Sequence, residues 1–230
     1  MTRGILEGVA RTGAKLVYGD NLYMYGDTEG KPISENAPYG ATGRKGKVRA
    51  QVATMLLEAH KKGDVPVVIG RGSDFYGPNV VNSTFGEHFF KAALSGKTAD
   101  LLGDIGLPHT YTYIRDFAKA LVELSDNDTA NGQVWHVSNA ETITTRQIVA
   151  MVEKELEMPI KVRTAGRSMV FLLGLVNPMM REIKEMMYEW EKPYIVDHSK
   201  YAQAFGAEST PHRVAIKETV DWYRQRFSPN

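Results

Sequence analysis

Val65-Pro66-Val67-Val68-Ile69 runs straight into Gly70-Arg71-Gly72-Ser73-Asp74-Phe75-Tyr76-Gly77-Pro78, and this stretch decides the fold. Its first half is a short apolar run rich in β-branched residues, which reads as a buried strand. Its second half is a turn punctuated by glycine and proline and carrying charge. Lys15-Leu16-Val17-Tyr18 has the same form and ends in Gly19-Asp20-Asn21-Leu22-Tyr23-Met24-Tyr25-Gly26. Between the two strands a helix is predicted over residues 44–62. On it Val48, Val52, Met55, Leu56 and Ala59 make one apolar stripe before Gly63 ends it. Strand, crossover helix and strand in that order predict two parallel strands of one sheet. In open sheets of this kind ligands collect beyond the carboxyl ends of the strands, where Asp20, Asn21, Arg71 and Asp74 stand.

Working outward, Ile5, Leu6 and Val9 give an opening helix an apolar face that stops at Gly13. Downstream, Phe117, Leu121 and Leu124 mark another helix, and Val134-Trp135-His136-Val137 reads as a further strand. His109-Thr110-Tyr111-Thr112-Tyr113 alternates like a half-exposed strand. After Ser138 helix dominates. Thr144 and Gln147 form a capping box for a helix carrying Ile148, Val149, Val152 and Leu156. Residues 159–162 read as a short strand, a Met-rich helical segment breaks at Asn177-Pro178, and a last helix buries Ile216, Val220, Tyr223 and Phe227. Residues 1–138 are thus expected to form the α/β region, with residues 79–112 inserted from a second lobe. Residues 139–230 are expected to supply most of that lobe.

Composition narrows the classes. Twenty-eight basic residues against 27 acidic leave a net charge of +1, so no global field argues for nucleic acid or an anionic membrane. The basic run Arg44, Lys45, Lys47 and Arg49 reads as a solvated helix start. With no cysteine, disulfides and thiol catalysis drop out, and the cytoplasm is the expected compartment. The most apolar stretch, residues 169–176, is far short of the roughly 20 residues that a bilayer span needs. The six histidines (His60, His88, His109, His136, His198 and His212) show no pair at ligand spacing, so no metal is expected.

In their order along the chain, three segments resemble the extended short-chain dehydrogenase/reductase family, which includes NAD-dependent epimerases and dehydratases of sugar nucleotides. These are residues 16–26, the turns from Ile69-Gly70-Arg71 to Tyr76-Gly77-Pro78, and Tyr113-Ile114-Arg115-Asp116-Phe117-Ala118. Val196-Asp197-His198-Ser199-Lys200 and Trp222-Tyr223-Arg224 are similar to that family's substrate lobe. The resemblance implies an α/β fold: a partial Rossmann-like, doubly wound parallel sheet with a smaller, mostly helical C-terminal substrate lobe. It also implies NAD or NADP as cofactor, a small-molecule substrate of sugar-nucleotide or small carbonyl/hydroxyl type, and pairing of two copies. A Tyr-x-x-x-Lys pair on one helix face is expected, with the ammonium favouring the ionised phenol as it exchanges the substrate proton.

The chain departs from that pattern. Ala41 lies four residues before Lys45, Gly43 four before Lys47, and Tyr39 six before Lys45. Asp20 or Asn21 stands where the resemblance implies Ser or Thr. The expected catalytic set is Lys45, Asp20, Asn21, Tyr23 and Tyr25, with packing as the other use of the two tyrosines. Cofactor contacts are expected from Lys45, Arg71, Asp74, Tyr76, Gly77 and Pro78, and substrate contacts from Asp20, Asn21, His109 and Tyr111. An Asx turn at Asp20-Asn21 and a structural Arg71–Asp74 ion pair are the competing readings. Gly40-Ala41-Thr42-Gly43-Arg44-Lys45-Gly46 has the spacing of the family's phosphate loop, yet residues 32–38 do not read as the strand such a loop needs. The expected protein is therefore an atypical member represented by its later part. The alternative is an N-terminally truncated, non-catalytic binding or scaffold protein with the same residual fold.

Overall fold

The structure, a computed structural model, describes residues 1–228. Helix α1 (Thr2–Thr12) stops at Gly13, whose left-handed backbone (φ 67°) brings its N–H onto Val9 O. Strands β1 (Leu16–Asp20) and β2 (Val67–Arg71) lie side by side and parallel, with Leu16 facing Val67 and Asp20 facing Arg71. Helix α2 (Arg44–Lys61) makes the crossover. There follow β3 (Phe75–Tyr76), α3 (Glu87–Leu94), β4 (Ala99–Leu102), β5 (Pro108–His109), β6 (Thr112–Tyr113), α4 (Ile114–Asp126) and β7 (Val134–His136). Strand β7 adds parallel to the far side of β2, giving the order β1-β2-β7. The chain finishes with β8 (Ile143–Thr144), α5 (Thr145–Leu156), β9 (Val162–Ala165), α6 (Arg167–Gly174), α7 (Pro178–Lys184), α8 (Tyr188–Glu191), α9 (Ser199–Phe205) and α10 (His212–Phe227).

Strand β2 is buried along its whole length because helices cover both faces of the sheet. Val67 and Ile69 pack with Ala53 and Leu56 of α2, while Val68 packs with Phe117, Ala120 and Leu124 of α4 and with Trp135. Each such aliphatic side chain contributes roughly 1.5–3 kcal/mol on burial. Of the apolar stripe, Leu56 and Ala59 are buried and Val52 and Met55 half-buried, while Val48 is exposed and Gly46 and Ala53 join the inward face. Small residues rotate the helix that way because the approach is close. A Cβ on Gly46 would lie 2.4 Å from Tyr23 O.

A second core gathers Phe85, Phe89 and Phe90 around α3, Ile148, Val149 and Val152 of α5, and Ile216, Val220 and Tyr223 of α10. Both bonds of the expected capping box are present at Thr144 and Gln147. The short strand expected at 159–162 lies later, as β9, paired with β4. Residues 109–113 correct the half-exposed strand: all five are buried, split between β5 and β6, because each half pairs with a different short strand. Ile33 bridges Val196 and His109 bridges Tyr194, both in parallel, and Ile33, Tyr194 and Val196 pack with Leu22, Met24 and Tyr25 in a further cluster. Among the described residues, no helix is long and apolar enough to cross a membrane.

Candidate functional site

The three parallel strands end together, and each ends in a polar residue: Asp20, Arg71 and His136. Asp20 and Arg71 have fully buried side chains, with Arg71 Nε 3.5 Å from Asp20 Oδ2. That is close enough for charge pairing but not aligned as a hydrogen bond. Arg49 approaches Asp20 from α2 at 3.4 Å and donates to the Tyr18 hydroxyl at 3.0 Å. Burial outweighs both cations and raises the Asp20 carboxyl above its usual range.

The guanidinium fork of Arg71 spans two phenols. Nη1 donates to Tyr25 Oη at 2.6 Å and Nη2 to Tyr39 Oη at 2.8 Å, with the guanidinium carbon 5.1 and 5.2 Å from the two ring centres. Tyr25 Oη also lies 2.8 Å from His136 Nε2, and His136 Nδ1 lies 3.0 Å from the Asp197 carbonyl oxygen. A carbonyl only accepts, so the His136 proton sits on Nδ1 and Nε2 accepts from Tyr25. Burial is the main cause that depresses the His136 imidazole to about 3, helped by the Arg71 charge. Burial likewise pushes the Tyr25 phenol up to about 12, against the pull of Arg71. Tyr39 alone of these three rings reaches solvent, at 36% exposure.

A second polar group gathers around Asp74 and His109. His109 Nε2 lies 2.9 Å from Asp74 Oδ2, and the imidazole is flanked by the rings of Tyr111 (4.6 Å) and Tyr194 (5.3 Å). Glu189 of α8 is buried. Burial first, and the nearby Asp74 carboxylate second, hold its carboxyl well above the usual range. Burial, Glu189 and Asp74 raise the Tyr23 phenol as well.

The structure brings Asp20, Tyr25 and Arg71 together in one network, and Asp74 and His109 in the other. Asn21 makes the Asx turn, its Oδ1 accepting from Tyr23 N at 3.2 Å. Arg71 and Asp74 do not pair with each other, since β2 turns between them and each finds a partner on another element. Lys45 faces Glu182, with Nζ 3.4 Å from Oε2. Tyr76, Gly77 and Pro78 are buried, and the Tyr76 hydroxyl meets His212 Nδ1 at 2.8 Å, at the start of α10. Tyr111 Oη meets Thr145 Oγ1 at 2.7 Å. Sequence reasoning missed Tyr39, His136, Glu189 and Tyr194. The signal for His136 was available: it ends a third strand as Asp20 and Arg71 end theirs. Glu189 and Tyr194 carry no local motif.

The glycine-spaced loop resolves differently from a phosphate cradle. No strand precedes it, and the first two N–H groups of α2 are already bonded, Arg44 N to Glu185 Oε2 and Lys45 N to Glu185 Oε1, each at 2.9 Å. A carboxylate of the chain itself thus takes the place an anion favours at a helix start. This loop therefore does not form a fitting cradle for a dinucleotide's diphosphate.

Residues 1–138 match the model of the NAD dependent epimerase/dehydratase family. The chain is 25% identical over 211 residues to a trifunctional UDP-glucose 4,6-dehydratase/UDP-4-keto-6-deoxy-D-glucose 3,5-epimerase/UDP-4-keto-L-rhamnose-reductase of Arabidopsis thaliana. That alignment covers 91% of this chain and 28% of the plant protein. A UDP-N-acetyl-alpha-D-glucosaminuronate decarboxylase of Bacillus cytotoxicus is 22% identical over 97% of this chain and 68% of its own length. Among solved structures, UDP-glucuronic acid 4-epimerase from Bacillus cereus in complex with NAD superposes with a TM-score of 0.80 at 19% identity, covering 99% of this chain and 67% of the epimerase chain.

Proposed function

The chain belongs to the NAD dependent epimerase/dehydratase family, whose cofactor is NAD(P), and from that premise we propose that it serves epimerase, dehydratase or reductase chemistry on a hydroxyl or carbonyl carbon of a sugar-nucleotide-like substrate. The observation that carries this reading is the network at the strand ends. A half-exposed phenol, Tyr39, is held by a buried guanidinium where an open parallel sheet places its ligands. Such a reaction needs a group that exchanges a proton with a substrate hydroxyl, and a phenol beside a fixed positive charge supplies one. Contacts with substrate hydroxyls are assigned to Asp74 and His109, with the buried Glu189 carboxyl near Asp74. In this reading Asn21 and Tyr23 shape the near wall, Tyr111 backs the His109 ring, and Lys45 stands at the crevice mouth.

Two observations favour a second reading, a binding protein without turnover. Glu185 closes the helix start, and the position four residues after Tyr39 is Gly43 rather than lysine. A single experiment separates the two. NAD(H) and NADP(H) are titrated by fluorescence, and UDP-glucose and UDP-glucuronic acid are then incubated with the chain and whichever cofactor binds. Saturable binding with product formation supports the enzyme. Binding of a UDP-sugar with no conversion supports the second reading, and no binding of any of them sinks both.

A further inference from the structure

We propose that the helical hairpin α6–α7 docks its tip into the surface of an anionic phospholipid bilayer, resting at the interface without spanning it. The proposal goes beyond the reading of the crevice and does not depend on it.

The hairpin carries apolar surface that the fold leaves uncovered. Met169, Phe171, Leu172, Leu173, Leu175 and Val176 are 41–85% exposed, and the two largest fractions belong to Leu175 and Val176, in the turn between the helices. These are six of the thirteen large apolar side chains exposed among the described residues, gathered within one short stretch. Only Val170 of α6 is buried. A solitary exposed apolar residue means little, whereas a contiguous patch marks a site of interaction. The base of the hairpin is tied down. Arg167 pairs with Glu191, Glu182 meets Lys45 at 3.4 Å, and the Glu185 carboxylate accepts from the first two N–H groups of α2.

Charge selects the occupant. Residues 164–181 contain no acid but two arginines, Arg167 and Arg181. The acids that follow are turned elsewhere, Glu182 to Lys45, Glu185 to α2 and Glu191 to Arg167. Among the described residues, Arg181 and Lys184 pair with no carboxylate. The Lys184 ammonium lies 4.3 Å from the centre of the Phe171 ring, so a cation rides on the apolar face itself. Basic heads on stems that lie along apolar surface suit a headgroup layer above acyl chains.

A second copy of the chain fits less well. Symmetric pairing sets the patch against itself and brings its unpaired cations together. The exposed area is about a few hundred Å², short of the roughly 800 Å² that each partner of a stable complex buries. A bilayer supplies anionic headgroups for the cations and acyl chains for the tip. The overall charge of +1 does not oppose this, because the attraction acts over about a Debye length and the cations are local to the hairpin. The turn at residues 175–177 sends the chain back, so the tip enters only the headgroup and upper acyl region.

The test is flotation of the whole 230-residue chain with vesicles of phosphatidylcholine alone and of phosphatidylcholine and phosphatidylglycerol in equal parts. Flotation with the mixed vesicles and little with the neutral ones is expected. Burying either tip side chain is worth at least about tenfold, so Leu175→Asp/Val176→Asp is expected to lower the partition coefficient by that factor or more. Each basic residue at an anionic surface is worth roughly fivefold, and Arg181→Gln/Lys184→Gln is expected to lose about tenfold or more on the mixed vesicles. Val122→Asp, on the exposed face of α4, is expected to change nothing. No flotation with the mixed vesicles, equal flotation with both kinds, or full binding by the tip variant would overturn the proposal. Sedimentation velocity reads the competing occupant: a dimer that the tip variant abolishes, in a chain that does not float, assigns the patch to a second copy and overturns the proposal too. If the tip variant does not fold by circular dichroism, the charge variant decides, and the proposal survives only if Arg181→Gln/Lys184→Gln floats less than Val122→Asp.

Discussion

His136 offers the sharpest quantitative test of the buried network. The ring is fully buried, donates from Nδ1 to the Asp197 carbonyl and accepts from Tyr25 at Nε2, so the folded state has no place for a second ring proton. Its value falls from the ordinary 6.5 to about 3. The sign follows from proton counting. Below about pH 6.5 the unfolded chain binds a proton that the folded chain refuses, so stability falls as pH drops, by about 1.4 kcal/mol per unit, until the folded value is reached. Between pH 7 and pH 5 this one residue removes about 2 kcal/mol, a large part of a normal stability of roughly 5–15 kcal/mol. His136→Gln keeps one donor and one acceptor but does not titrate. It is expected to cost stability at pH 7 and to lose less on acidification, so that the gap to the unmodified protein narrows by about 2 kcal/mol at pH 5. Denaturant unfolding of both proteins at the two pH values measures this, and contributions from the other histidines cancel in the difference. Parallel pH dependences would refute the neutral, fully bonded imidazole.

Glu189 has the opposite sense. Its folded carboxyl keeps a proton that the unfolded chain releases above about 4.5, so it costs stability progressively as pH rises through that value. Glu189→Gln is therefore expected to gain on the unmodified protein between pH 4 and pH 7 in the same assay, and a gain that shrinks with rising pH would count against the buried, protonated acid. Thr144→Ala removes the bond that Thr144 Oγ1 accepts from Gln147 N, one half of the capping box at α5, and is expected to cost about 1 kcal/mol, read as a lower denaturation midpoint with an unchanged m-value. Gly46→Ala places a methyl 2.4 Å from Tyr23 O and 2.3 Å from Ala41 Cβ. It is expected to lower stability by about 1–3 kcal/mol through overpacking, and a thermal midpoint within a degree of the unmodified protein would contradict that close approach.

Much of the architecture was legible because it rests on local pattern. The runs at 15–18 and 65–69 are short, apolar and bounded by glycine, the helix between them is long enough for a crossover, and parallel pairing follows from chain order. Thr144 and Gln147 announce their helix by chemistry alone, and Asn177-Pro178 marks the break between α6 and α7. The direction in which a helix buries itself was less legible. The stripe of α2 holds at Leu56 and Ala59 but not at Val48, where close packing at Gly46 turns the first turns of the helix, because backbone proximity favours the smallest side chain over the most hydrophobic one.

The sequence by itself determined that polar residues would stand at the ends of buried parallel strands, since that follows from residue order and strand periodicity. Only the tertiary structure decided which of them touch. Arg71 reaches Tyr39 across 32 positions, Tyr25 reaches His136 across 111, and Glu185 reaches the start of α2 across 140 or more. No spacing rule operates over such separations. The partners are chosen by which buried donor and acceptor would otherwise be left without one, and that is a property of the folded chain.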